Sequence, residues 1–331
     1  MNKLLTIVVP VYKVEPYINK CLDSCILADE KLMEQLEVII VNDGTPDNSA
    51  EMSREYVKRY PKTFRQIDKE NGGHGSAWNV GLKEATGKYL RFLDSDDWLS
   101  NLDTLIEKLQ NTNADIVLSD FMKCYANENR EERRYALETT NSPITIDIKF
   151  LTECKNNYEL INFWHSTYKT EILKPLFPLF AEHVMYDDSI LFFSPIIFGR
   201  TYEAISIPVY NYLLGRDGQS VNKKVQQKNV KSYICCMQKM EDIRRKCSEF
   251  LLPDDYIGYI DSTISVFVHY FFHLLIFLPY RQSKEQMAYV NNKYPFTKCK
   301  KPKYVTQYQK LPFFIYYLLQ HLRAIKNKHY V

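Results

Sequence analysis

Asn71 to Trp98 reads NGGHGSAWNVGLKEATGKYLRFLDSDDW, and its succession of loop, helix, strand and acids decides the fold. Asn71-Gly72-Gly73-His74-Gly75 is backbone with little bulk, suited to lying close against a ligand. Ser76 is placed to cap a helix whose apolar positions Ala77, Val80 and Ala85 suit packing on a sheet. Gly87 stops that helix, and Tyr89 to Leu93 is a short strand rich in β-formers. Asp94, Asp96 and Asp97 stand at its carboxyl end. Three acids in four residues after a buried strand repel one another unless something positive binds there. A hard divalent cation with oxygen ligands answers that need, and a diphosphate is its usual companion.

Outward from this stretch the chain alternates strand and helix. Leu4 to Val9 is a continuous apolar run, a strand covered on both faces and ended by Pro10-Val11-Tyr12. Glu15-Pro16 opens a helix with Tyr17, Ile18, Cys21, Leu22, Cys25 and Ile26 on one face. Leu36 to Val41 is a second buried strand running into the polar turn Asn42 to Ser49, which caps a helix through about Tyr60. Phe64 to Ile67, Asp115 to Ser119 and Pro208 to Leu213 read as further strands, and Leu102 to Gln110 as a helix. Short links between alternating elements predict an α/β fold with a Rossmann-like, doubly wound, mostly parallel sheet. Ligands of such sheets sit at the carboxyl ends of the strands, where strand order switches. Pro10–Tyr12, Asp43 and Asp94–Asp97 should therefore converge on one crevice.

Cys124 to Pro143 is charged and irregular, a surface excursion or an added β-ribbon. Asp187 and Asp188 precede an apolar run read as a helix. From Lys223 the pattern turns helical, which sets a catalytic domain at 1–222 and a helical C-terminal region at 223–331. Of 43 Lys/Arg and 40 Asp/Glu, nine basic residues and no acid fall after Glu285, so the tail is basic and the rest acidic. Eight cysteines without a CxxC pair read as reduced thiols of a cytosolic protein. The opening apolar run is too short for a signal peptide, and no 18-residue apolar span predicts a transmembrane helix.

TIVVPVYK, VNDGTPDNS, NGGHGSAWN, LDSDDW, MYDDSILF and YNYLLGRDGQS stand in the order and spacing of family 2 glycosyltransferases. Over residues 4–222 the chain resembles that family, which implies the GT-A fold. The resemblance implies that Pro10, Val11 and Tyr12 wall the uracil and ribose of a donor, with Asp43 accepting from the base. It implies that Gly72, Gly73, Ser76 and Asn79 close over the nucleotide. Asp94-Ser95-Asp96 corresponds to the DxD stretch, the first acid facing the ribose and the second the metal, Mn²⁺ or Mg²⁺. Asp188 corresponds to the catalytic base, and Tyr212 and Arg216, with Ser220 beside them, to a segment that holds the diphosphate. Many members carry Arg where this chain has Trp78, whose indole supplies no positive charge; His74 in the same loop is the candidate to compensate as a donor.

Blander readings stand beside these. The acid triplet and the Asp187/Asp188 pair could each cap a helix. Asp187 is the second candidate for the base, and Arg216 could be an ordinary surface charge. His165 is either a satisfied core histidine or an acceptor-side group. His269 and His273 have zinc-site spacing, but Tyr270 stands where a metalloprotease needs Glu. The GGHG loop is neither GxGxxG nor a P-loop, which removes dinucleotide and nucleoside-triphosphatase readings.

The reading that follows is a metal-dependent, inverting enzyme. It would move a hexose from a nucleotide-sugar, UDP-linked by expectation, to a lipid-linked or growing saccharide in cell-surface polysaccharide synthesis. A protein or soluble acceptor, or a degenerate member that binds without turnover, are the alternatives. Leu311 to Ile325, flanked by Lys298, Lys300, Lys301, Lys303, Lys310, Arg323, Lys326 and Lys328, suits an anionic membrane surface at the cytoplasmic face. The same helix could pack on the catalytic domain or form a homo-oligomer interface. Lysines clustered with large apolar faces argue against nucleic acid.

Overall fold

Two runs of β-branched residues form the centre of the sheet. Leu5–Val11 (β1) and Leu36–Asn42 (β2) are buried at every position and pair in parallel, from Leu5 opposite Leu36 to Val11 opposite Asn42. Strand β1 continues through Pro10 and Val11 rather than ending before them. Pro10 lies opposite Val41 inside the ladder, and Val11 C=O accepts from Asp43 N–H at 3.0 Å. The computed structural model describes residues 3–126, 128, 130–157, 160–216, 219–220, 223–275, 278–293 and 311–326. By contacts the chain divides into two units, Met1–Asp217 and Gly218–Val331.

In the first unit Phe64–Asp68 (β3) extends the parallel ladder beyond β2, and Tyr89–Phe92 (β4) pairs in parallel with the other edge of β1. The chain thus steps outward from β1 to β2 to β3, then returns to the far side of β1. That reversal is the switch point. Helices Ile18–Asp23 (α1), Glu30–Glu34 (α2), Ser49–Arg59 (α3) and His74–Glu84 (α4) make the connections. α1 is shorter than its apolar spacing predicts, because residues 15–17 form a turn.

Beyond β4 the sheet becomes mixed. Trp98–Leu99 (β5) is followed by Leu102–Gln110 (α5), which buries Leu102, Leu105, Ile106 and Leu109. Ile116–Tyr125 (β6) runs well past the expected end at Ser119, since Arg130–Arg134 (β7) pairs with it antiparallel and makes the charged excursion a β-ribbon. Ile144–Thr145 (β8) and Ile148–Asn156 (α6) precede Ser166–Lys169 (β9), which lies antiparallel between β4 and β6. Thr201–Leu214 (β10) pairs in parallel with β6, and the full order is β3-β2-β1-β4-β9-β6-β10-β5. The apolar run after Asp187 is a 3-10 turn over Asp187–Phe192, not an α-helix, which removes the macrodipole account of its acids.

The second unit is built of helices and short turns among its described residues, the helices being Lys223–Lys228, Val230–Cys247, Asp254–Leu275, Tyr280–Lys293 and Phe313–Lys326. Met237, Met240 and Ile243 on one helix and Tyr259, Ile260 and Ile264 on the next are buried. Arg244 joins the same pair of helices through Asp261 at 2.8 and 3.2 Å. No described helix is long and apolar enough to cross a membrane. The last helix buries Tyr316 but exposes Phe314, Ile315, Leu318, Leu319 and Leu322. Lys298, Lys300, Lys301, Lys303, Lys310 and Lys328, and the side chains of His269, His273, Arg323 and Lys326, lie outside the described residues.

Candidate active site

The site is assembled at the carboxyl ends of β1, β2 and β4. Gly73, at φ 85°, precedes α4, so the helix begins at His74 and Ser76 lies inside its first turn instead of capping it. Asp43, at the end of β2, holds this loop. Its carboxylate accepts from Gly72 N–H and Gly73 N–H, both at 2.8 Å, from Lys69 Nζ at 2.6 Å and from Asn71 Nδ2 at 3.1 Å. A carboxylate offers about four lone-pair positions. A nucleobase N–H would therefore have to displace one of these donors.

The acid triplet follows β4. One oxygen from each of Asp94, Asp96 and Asp97 falls within 4.8 Å of the others. Their surroundings differ sharply. Asp97 is buried and accepts from Tyr210 Oη at 2.6 Å and Leu213 N–H at 2.8 Å. Burial, with Asp96 and Asp94 close by, pushes its carboxyl well above the usual range. Tyr210 Oη also accepts from Asp94 N–H at 3.2 Å, so one phenol fastens β10 to both ends of the triplet. Asp96 is paired with Arg216, carried just beyond β10. Burial and then Asp94 raise the Asp96 carboxyl, while the guanidinium opposes them. Asp97 is shut away from the crevice, while the side chains of Asp94 and Asp96 keep some exposure, so these two are the pair best placed to hold a cation. Their hard oxygens fit Mg²⁺ or Mn²⁺.

Asp187 and Asp188 are brought to the same crevice by residues 180–186. Asn79 amide donates to Phe180 C=O and accepts from Phe180 N–H, both at 3.0 Å, and His183 N–H donates to Gly72 C=O at 2.7 Å. A Cβ at Gly75 would stand 2.2 Å from Ala181 O and 2.9 Å from Asp187 Oδ2, so only glycine admits this approach. His74 then spans the two acid groups, with Nε2 2.9 Å from Asp94 Oδ1 and Nδ1 3.0 Å from Asp187 Oδ2. Asp187 is buried, while Asp188 is half-buried. Burial, and next the neighbouring Asp187, push the Asp188 carboxyl up to about 7, with His74 pulling the other way.

Comparison with known proteins places this arrangement. The model of "Glycosyl transferase family 2" matches residues 6–174. The chain belongs to that family. It is 33% identical over 192 residues to the "Uncharacterized glycosyltransferase EpsJ" of Bacillus subtilis, covering 56% of this chain and 54% of EpsJ. The chain thus spans about half of that relative's length. It is 27% identical over 272 residues to the "Putative glycosyltransferase EpsH" of the same organism, covering 75% and 74% of the two chains. Among solved structures, S. aureus TarS 1–349 in complex with UDP superimposes with a TM-score of 0.60 at 18% identity, over 87% of this chain and 78% of TarS. The mannosyltransferase PcManGT of Pyrobaculum calidifontis, in complex with GDP-Man and Mn²⁺, gives 0.51 at 16% identity, over 97% and 88%. The fold is that of GT-A neighbours.

Against that family pattern, the structure gathers Tyr12, Asp43, Gly72, Gly73, Asp94, Asp96, Asp188 and Arg216 around the carboxyl ends of the strands. Tyr12 is exposed at the end of β1, whereas Pro10, Val11 and Ser95 are buried. Asn79, 3% exposed, holds the Phe180 backbone instead of facing a nucleotide. Asp43 is turned to the loop as described. His165 is a core histidine, 1% exposed, with Nδ1 2.6 Å from Ser119 C=O and its ring edge-on to Phe121. Tyr212 stacks on Trp164 at 5.0 Å and 22°. Trp78 is fully buried among Phe92, Phe163 and Phe180, with its indole N–H unpartnered among the described residues. Sequence reading missed Lys69 and Tyr210. Lys69 carries no motif signal, and Tyr210 sits in the quoted YNY run but reads there as an ordinary strand residue.

Proposed function

We propose that this chain is a metal-dependent inverting glycosyltransferase that moves a hexose from a UDP-linked donor to a lipid-linked or growing saccharide of the cell surface. The observation that carries the reading is the span of one imidazole between Asp94 and Asp187. It sets a half-buried carboxylate, Asp188, across a crevice from the acid pair suited to a divalent ion. UDP and UDP-GlcNAc are named with TarS structures, and GDP-Man with Mn²⁺ for PcManGT. Teichoic acid biosynthesis is named for two partial relatives, "Minor teichoic acid biosynthesis protein GgaB" and "Teichoic acid poly(glycerol phosphate) polymerase". These names support the donor and acceptor classes.

Asp94 and Asp96 would hold Mn²⁺ or Mg²⁺, which when bound supplies Lewis-acid neutralisation of charge on the diphosphate. Arg216, paired with Asp96, is planar and permanently charged, and would donate to the same diphosphate oxygens. Tyr12 offers a wall for the base, and Gly72 and Gly73 a close backbone. Asp188 accepts the proton of an acceptor hydroxyl. A carboxyl near neutrality is matched to that task at physiological pH, and such help is worth roughly 10²–10⁴-fold. A single base opposite the leaving group gives in-line displacement and inversion at the anomeric carbon.

The catalytic unit would work at the inner face of the cell membrane as a peripheral protein. Five exposed apolar side chains on Phe313–Lys326, within a tail free of acids, support that placement. A homo-oligomer using the same helix is the competing arrangement. The test is a panel of nucleotide-sugars assayed for Mn²⁺-dependent binding and release of nucleotide, with Asp188→Asn beside the wild type. Transfer should fall by roughly 10²–10⁴-fold in the variant while UDP binding with Mn²⁺ persists. Unchanged turnover would reject the base assignment.

A further inference from the structure

We infer that His74 is a positioning residue that fastens the Asp187/Asp188 segment to the acid triplet, and thereby sets where the Asp188 carboxylate stands. The bridge stands on geometry alone; its catalytic consequence rests on the glycosyl-transfer reading above.

Both ring nitrogens of His74 face carboxylates, at 2.9 Å on Asp94 and 3.0 Å on Asp187. Each ring nitrogen is within hydrogen-bond distance of a different acid, so one rigid side chain ties the two groups together. The imidazole is also the only side chain described as joining the two acid groups. Without it, Asp94 and Asp187 face each other as like charges, and the 3-10 turn bearing Asp188 loses its side-chain tie to the sheet.

The loop is shaped around this ring. Gly73 adopts a left-handed φ immediately before it, and Gly75 lacks the Cβ that would collide with Asp187 and Ala181. Trp78, one helical turn later on the same face of α4, underlies the imidazole with ring centroids 4.1 Å apart. The tilted ring contact packs the imidazole against a fully buried indole, which limits how far the ring can turn between the two acids. Asn79–Phe180 and His183–Gly72 hold the backbones of the two segments, but neither touches an acid of the crevice.

Two measurements test this. The first is a stability cycle of His74→Gln, Asp187→Asn and the double variant, read as shifts in thermal midpoint without substrate. A glutamine amide has donors at one end only and cannot serve two carboxylates. The double variant should lose clearly less than the sum of the single losses, because all three break one interaction. Strictly additive losses would overturn the bridge.

The second reads UDP binding with Mn²⁺ by calorimetry beside turnover of UDP-GlcNAc, or of whichever panel donor the wild type uses. His74→Gln should lower kcat by about 10–100-fold, the usual cost of losing an orienting partner, with UDP affinity little changed. His74→Lys, whose ammonium has donors enough for both carboxylates, should recover part of kcat. Equal losses of UDP binding and turnover, or a lysine variant no better than glutamine, would reduce His74 to a structural role and overturn the inference. A wild type that turns over no donor would instead sink the proposed function, and the stability cycle would still decide the bridge.

Discussion

The two acid groups, Asp94 to Asp97 and Asp187-Asp188, are alike in sequence and unlike in place. Each divides its work between an acid that is fastened and one that faces the crevice. In the first group Asp97 is fastened by Tyr210 and the Leu213 backbone, while Asp94 and Asp96 face the crevice with His74 and Arg216 as counter-charges. In the second, Asp187 is buried against His74 and Asp188 is left half-buried. Adjacent acids with equal intrinsic chemistry thus differ because successive residues of a turn point in different directions. Where a carboxylate is buried on donors from the surrounding fold, as at Asp97, the group becomes structural; where it faces the crevice beside a single side-chain partner, as at Asp94 and Asp96, it keeps capacity for a ligand.

That contrast is most strongly tested at two acids that face the crevice. Asp188→Asn should cost roughly 10²–10⁴-fold in turnover, whereas Asp187→Asn should cost less and also destabilise the fold. A larger catalytic loss at 187 than at 188 would exchange the two roles. Asp96→Asn should remove the Mn²⁺-dependent part of UDP binding, measured by calorimetry with and without the ion. Retention of that part would place the ion elsewhere.

Next in size is the fastening of Asp97. Tyr210→Phe leaves a buried carboxylate oxygen short of a donor, and should lower stability by about 1–3 kcal/mol in denaturant unfolding. It should also weaken UDP binding, because Arg216 follows the same strand. Smaller again is the pH dependence. Burial and Asp187 raise the Asp188 carboxyl to about 7, so the base is protonated below that pH and ionised above it. Turnover should therefore climb roughly tenfold per pH unit below neutrality and level off above. A limb near the ordinary carboxylate range would mean that Asp188 is more solvated than its surroundings imply. Deleting the chain after Lys298 should release the protein from anionic vesicles with no effect on soluble UDP binding. Continued sedimentation of the truncated chain with vesicles would reject the membrane role of the tail.

Much of the fold was legible because strands buried on both faces announce themselves as apolar runs, and glycine before a helix and acids after a strand are local signals. LTIVVP, LEVIIV and YLRFL each became the expected strand. Boundaries were less legible. β6 and β10 run several residues beyond their apolar cores because each pairs along its length with the other, a condition set by a partner about 85 residues away. The helix expected after Asp187 became a 3-10 turn for a related reason. Asp187 is held by His74 of the glycine loop, not by a helix N-terminus.

The sequence alone determined the main parallel strands, their alternation with helices, the family and the two acid clusters of the crevice. Those follow from propensity, periodicity and motif spacing, which are properties of neighbouring residues. Tertiary structure decided which acid of each pair is free, that Asp43 and Asn79 brace loops, and that Trp78 supports His74 from the core. These are contacts between residues far apart in the chain, and a one-dimensional pattern holds no record of which direction a side chain faces.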